Sequence, residues 1–205
     1  MGQGDVTMTI ADDVRFYLKH RPYVLEMLSL GVFNYSSLAR SVSSELGLKK
    51  SSQSAIKAAL IREADRQKAS QLDAGRRIGT VLSSSRIELR SKVCVFLGNR
   101  PLPEGIVPIA HSNSYGFHMA VIDQQDAPKL RLRAGERLER GCDLVVIRSP
   151  PSIERTPGVI SLVISSLSRE GINLMEFISC AYDTLLVVKN RDTERTFKIL
   201  SSLMS

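Results

Sequence analysis

The sequence predicts an α+β protein in two parts, a helical N-terminal region and a C-terminal region that alternates strands with helices. Residues 11–67 repeat apolar positions at helical spacing and contain no good strand, whereas Asp143–Met204 read as strand, helix, strand, tight turn, strand, helix. With 205 residues and 43% hydrophobic content, the chain can bury one or two cores, and its length favours two domains.

The helices follow in order. "ADDVRFYLKH" opens on acidic residues, which favour a helix N-terminus, and breaks before Pro22. "PYVLEMLSLG" starts at Pro22 and stops at Gly31. "NYSSLARSVSSELG" places Leu38, Val42 and Leu46 on one stripe, with Asn34 or Ser36 as cap and Gly47 as stop. The next helix begins at Ser51 or Ser52. It turns Ala55, Ile56, Ala59, Leu60 and Ala64 inward and leaves Lys50, Gln53, Ser54, Lys57 and Arg62 outside or at the rim.

Two short helices around a glycine turn, the second beginning with polar and basic residues, are the arrangement of a helix-turn-helix DNA reader. Ser52, Gln53, Ser54 and Lys57 would reach base edges, while Arg40, Lys49 and Lys50 would neutralise phosphates. The same pattern also describes a helical packing or dimerisation domain with a solvated basic edge. The first domain is assigned to residues 1–70, with or without a wing, and "KASQLDAGRRIGTVLSSSR" marks a linker over 71–86 that includes a short helix with Leu72, Ile78, Val81 and Leu82.

Residues 87–140 supply three strands, "RSKVCVFLG", "GIVPIAHS" and "GFHMAVID". They form either a wing for the first domain or, preferably, part of the C-terminal sheet. "KLRLRAGERLERGCD" reads as an exposed strand with a turn at Gly135; Arg131, Arg133, Arg137 and Arg140 are phosphate contacts or, more safely, edge-strand charges.

In 141–205, "DLVVIRSP" is a strand. Thr156 caps the following helix, Pro157 occupies its first position, Val159, Ile160, Val163 and Leu167 line it, and Gly171 ends it. "INLMEFISCA" and "TLLVVK" are strands joined by a turn at Tyr182 and Asp183. A last helix starts at Asp192 with Phe197, Leu200 and Leu203 along its apolar edge. The two helices should cover one face of the sheet.

"TPGVISLVISSLSREGINLMEF" resembles the signature segment of the ACT family, with Pro-Gly before the first helix and Gly-Ile-Asn after it. The resemblance implies a ferredoxin-like βαββα(β) ACT domain that binds an amino acid or similar ligand between paired modules. The implied contacts are Pro157, Gly158, Val159, Ile160, Asn173 and Leu174. On the residues alone, Pro157 and Gly158 only start a helix and Asn173 only satisfies a backbone group near a turn. An ACT domain ends on a fourth strand, yet this chain stops at Ser205. That strand must come from 87–140, as in the interleaved pair of ACT units of aspartate kinases, or from another subunit. "NYSSLARSVSSELG" in turn resembles the helix-turn-helix segment of prokaryotic, especially archaeal, regulators that carry an ACT module.

The charge is uneven. Residues 151–205 hold 6 Lys+Arg against 6 Asp+Glu, so the net charge of +7 lies in the first 150 residues. That suits a neutral sensor joined to a part that meets a polyanion. Cys94, Cys142 and Cys180 are odd in number and sit in or beside apolar runs, which fits buried thiols in a reducing compartment. His111 and His118 flank "SNSYGF" and lack a further ligand set for a metal. No phosphate loop, dinucleotide fingerprint, Gly-x-Ser-x-Gly or HExxH pattern is present, so neither catalytic residues nor a cofactor are assigned. No apolar run reaches the ~20 residues of a membrane span. The opening "MGQGDVTMTIADD" lacks a secretory pattern, and Val6 stands where myristoylation after Gly2 wants Ser or Thr. The expected protein is a cytoplasmic, homodimeric transcriptional regulator that binds DNA and senses a small molecule, without membrane association. A regulatory subunit of a metabolic enzyme is the main alternative, and an RNA-binding regulator a third.

Overall fold

The computed structural model describes residues 9–205; the readings made on Gly2 and Val6 lie outside them. The chain divides into two compact units, one ending at Gly75 and one spanning Arg76–Ser205.

The first unit contains α1 (Ile10–Lys19), α2 (Pro22–Ser29), α3 (Tyr35–Glu45) and the start of α4 (Gln53–Ser83), preceded by a turn of 3-10 helix at Lys50–Ser52. Thr9 and Asp12 form a capping box on α1, satisfying two otherwise open backbone amides. Asn34, not Ser36, caps α3, accepting from the amides of Ser36 and Ser37 at 3.1 Å. The core joins Val14 and Leu18 of α1, Leu28 of α2, Ala39 and Val42 of α3, and Ile56, Ala59, Leu60 and Ala64 of α4. Ala55 is exposed, one position off the inward stripe. No strand lies among the described residues of this unit, and the strands considered for a wing pair instead within the sheet of the second unit. The predicted linker is helix up to Ser83, because α4 continues through Gly75 and Gly79. A helical glycine costs only about 1 kcal/mol against alanine, and Val81 and Leu82 are buried against the sheet.

The second unit is built on one antiparallel six-stranded sheet of order β2-β3-β1-β4-β6-β5, comprising β1 (Arg86–Gly98), β2 (Ala110–Ser114), β3 (Phe117–Asp123), β4 (Arg137–Arg148), β5 (Leu174–Cys180) and β6 (Asp183–Lys189). The strands of the middle region therefore extend the C-terminal sheet, and β1 stands beside β4, where a strand was missing. β4 begins at Arg137 and pairs with β6 only from Cys142 onward, so Arg137 and Arg140 lie on a stretch paired with β1 alone, Arg131 and Arg133 precede the strand, and the predicted boundary at 140/141 falls inside it. The β5–β6 turn sits at Ala181 and Tyr182, one residue earlier than expected, with Asp183 already in the strand.

Two helices, α5 (Val159–Arg169) and α6 (Thr193–Met204), cover one face of the β4-β6-β5 half. Val145, Ile147, Leu186 and Val188 of the strands meet Val159, Val163 and Leu167 of α5 and Leu200 of α6. Phe197 is exposed, and Thr196 takes the buried place, donating to the Asp192 carbonyl at 2.8 Å. The opposite face carries a second cluster, Val93, Val95, Val121, Cys142, Leu144 and Val187, formed by strand residues with the adjoining Ile109. At the β1 bulge, the Lys92 amide donates to Asp143 at 2.9 Å and the Thr193 hydroxyl donates to the other carboxylate oxygen at 2.7 Å, tying β1 to the start of α6. Cys94 and Cys142 are buried, whereas Cys180 is exposed, against expectation.

The β2-β3-β1 half has its own core, in which Cys94, Phe96, Ala120 and Ile122 meet Ile106, Ala127 and Leu130. Beside it Glu136 accepts from the Arg100 guanidinium at 2.7 Å and from the Arg133 amide at 2.8 Å. The first of these, then the second, holds its carboxyl below the usual glutamate range. A carboxyl more acidic in the folded state stabilises above its unfolded pKa and loses that contribution as pH falls through its folded one. Acid titration of unfolding should therefore show a smaller loss of stability below the ordinary glutamate range in Glu136→Gln than in the native chain; identical acid profiles would dismiss this pair.

Candidate functional site

Helix α3 ends in a Schellman motif. Gly47 has φ 64, its amide donates to the Ser44 carbonyl, and the Leu48 amide donates to the Ser43 carbonyl at 2.8 Å. The buried Ser43 hydroxyl also donates to the Leu48 carbonyl. This compact turn sets the start of α4 against the small Ala39 of α3. Between the two helices lies an open cleft of about 240 Å³ lined by Ser36, Ala39, Arg40, Gln53, Ser54 and Lys57.

Four of the seven predicted DNA-contact residues, Arg40, Gln53, Ser54 and Lys57, thus share one cleft. Lys49, Lys50 and Ser52 sit in the turn that leads into α4. Arg40, Lys49, Lys50, Ser54 and Lys57 are exposed, and Ser52 and Gln53 are half-buried. Among the described residues, none of the four cations joins the ion pairs that link Arg15, Arg21 and Arg66 to Asp12, Glu45 and Glu63. Ser36 was missed; its signal was the four-residue spacing to Arg40, which puts both on one face of α3.

The six predicted ligand contacts fall into two groups. Pro157, Gly158, Val159 and Ile160 surround the start of α5, while Asn173 and Leu174 follow its end. The rest of α5, residues 161–169, lies between them, a rise of about 13 Å, so one amino acid cannot touch both groups within one unit. Val159 is core, Ile160 is half-buried, and Pro157, Gly158 and Asn173 are exposed. Thr156 does not cap α5. Its hydroxyl donates to the Ser152 carbonyl at 2.7 Å, and Gly158 takes the cap position at φ 98. Next to this helix start a cleft is lined by Pro151, Ser152, Glu154, Arg155, Thr156 and Tyr182, none of them among the six.

Gly158 is required on two counts. Its φ favours glycine, and an added Cβ would lie 2.9 Å from Ile78 Cδ1. Gly158→Ala should cost about 1–2 kcal/mol from backbone conformation alone, more with the contact. Ile78→Val deletes that methyl, so in a double-mutant cycle it should recover only the contact part. Additive effects of the two changes would show that the contact carries no energy.

Among the described residues no group of three or more His, Cys, Asp or Glu is disposed to hold a metal ion, and no helix is long and apolar enough to cross a membrane.

No protein-family model and no curated protein matches the chain. Among solved structures, it is similar to a Vibrio cholerae protein of unknown function, described as a possible transport protein, at 18% identity and TM-score 0.52, over 63% of this chain and 98% of that one. The ligand-free regulatory subunit of aspartate kinase from Thermus thermophilus gives 10% identity and TM-score 0.49, over 58% and 96%. The corresponding subunit from Thermus flavus gives 10% and 0.49, over 61% and 99%. The Vibrio likeness is one of fold; the two Thermus likenesses are looser still.

Proposed function

We propose that this chain is a DNA-binding regulator in which α3 and α4 act as a helix-turn-helix and the sheet unit acts as an ACT-type sensor of an amino acid or similar small ligand. The observation that carries the reading is the α3–α4 cleft, which gathers Arg40, Gln53, Ser54 and Lys57 at the open start of a helix, its two cations joining no ion pair among the described residues. A helix entering the major groove with its N-terminal residues needs such an edge, cations for phosphates and short polar side chains for bases.

The protein acts as a homodimer in this reading. Paired heads match paired half-sites, and a second copy brings its own Asn173 and Leu174 to the first copy's Pro157–Ile160, completing a ligand site that one unit leaves divided. The half-buried strand residues beside the opposite-face cluster, Val146, Met175, Ile178 and Leu185, are the surface offered for pairing. A ligand that favours one arrangement of the pair by about 1–3 kcal/mol would change DNA affinity roughly 5- to 150-fold.

A regulatory subunit of a metabolic enzyme is the second reading, favoured by the exposed apolar stripe of Tyr23 and Met27 on α2 and Leu30 at its C-cap, which suits a protein contact. Selection of the full chain on a pool of random duplexes separates the two. Enrichment of a sequence with two spaced half-sites supports the regulator; no enrichment even at low salt withdraws the DNA reading in favour of the subunit.

A further inference from the structure

The sheet order is symmetric about the β1–β4 pair, since β3 and β2 flank one side as β6 and β5 flank the other. The two halves differ in what crosses them. Residues 149–173 join β4 to β5 and contain α5, and α6 follows β6. The corresponding β1–β2 connection is only residues 99–109, without a helix, and β3 is followed by a short 3-10 helix, Gln124–Lys129. The short connection carries Pro101, Pro103 and Pro108, whose fixed φ stiffens it. Eleven such residues cannot fill the space that α5 fills in the other half. What remains is a cavity of about 260 Å³ under this strap, lined among others by Phe96, Leu102, Ile106, His111, His118 and Ala120.

The register explains the lining. Phe96 pairs with Ala120, Ala120 with His111, and Gly98 with His118. Paired residues share a face, so the Phe96 ring and both imidazoles project into the same space, with the imidazoles diagonal across the β2–β3 hairpin. The missing side chain at Gly98 makes room for the Phe96 ring, whose Cζ would stand 2.7 Å from a Cβ there.

Apart from the imidazoles and Ser112, the lining side chains are apolar; no Lys, Arg, Asp or Glu is among them. An ammonium group entering the cavity finds no anionic partner, whereas an oxygen acceptor finds imidazole N–H donors above an apolar floor. We propose that this cavity binds a small apolar monocarboxylate of benzoate or hexanoate size, head group toward His111 and His118 and body against Leu102 and Pro108 of the strap. The site is separate from the amino-acid positions at the ends of α5, and it stands whether or not the chain binds DNA.

Benzoate titrated into the full chain at fixed pH and salt, followed by the imidazole resonances of His111 and His118, tests this. Saturable shifts of both rings are expected, with benzyl alcohol and phenylalanine weaker by at least about tenfold, and His111→Ala with His118→Ala losing a similar factor. His111 is exposed and His118 half-buried, so an unchanged amide spectrum should accompany that loss. His111→Ala alone gives a partial loss should the pair perturb the fold. Non-saturating shifts, equal binding of benzyl alcohol, or full affinity in the double variant overturns the proposal.

Discussion

Replacing Arg40 and Lys57 together with alanine is expected to weaken duplex binding at every sequence and to flatten its salt dependence. Each phosphate neutralised contributes about 0.9 to the slope of log affinity against log salt, so loss of two contacts lowers the slope by roughly 2. Over a fourfold change in salt this is about a tenfold difference in affinity. Thermal unfolding should move little, because both side chains are exposed and such changes usually stay within ~0.5 kcal/mol. Gln53→Ala should behave differently, weakening preferred sequences by about 1–3 kcal/mol while leaving non-specific binding and the salt slope in place. An unchanged slope in the double variant would mean that these cations face water and not DNA.

Phe96→Ala is expected to be the most damaging single change in the sheet unit, costing about 3–5 kcal/mol. Phe96 is fully buried in the cluster that the strap and the 3-10 helix Gln124–Lys129 cover, which contains no α-helical residue among those described. Its ring unites Ile106 and Leu102 of the strap with Ala120 and Ile122 of β3. Because that cluster relies on a short connection, few neighbours can move in to close the void. Unfolding of this unit should shift down by on the order of 10 °C or more, while the first unit, with a core of its own, keeps its transition. Loss below about 1 kcal/mol would show that the strap collapses onto the vacated space.

The elements that were legible in the sequence are those with local causes. Gly31, Gly47 and Gly171 follow the ends of α2, α3 and α5 because helix ends are decided within a few residues. The stripe of Ile56, Ala59, Leu60 and Ala64 was readable from spacing alone. Thr156 misled because threonine before proline is a good cap in isolation, whereas here its hydroxyl is engaged by the turn at Pro151–Arg155. The run 71–86 looked like a linker for its glycines and serines, but Ile78, Val81 and Leu82 gain burial against the sheet, a tertiary effect that propensity does not record. The strand register was beyond reach for the same reason. Only the pairing of β1 with β3, and of β3 with β2, brings His111 and His118 over Phe96, residues that sequence spacing treated as two hairpin histidines. At the α3–α4 cleft Arg40, Gln53, Ser54 and Lys57 come together because a turn and two helix faces fix them locally.

The most direct measurement is an amide chemical-shift titration of the full chain with duplex DNA. The account predicts that the largest perturbations cluster at Lys49–Lys57 and around Ser36–Arg40. Perturbations confined to α1 and α2, or no change at low salt, would contradict it.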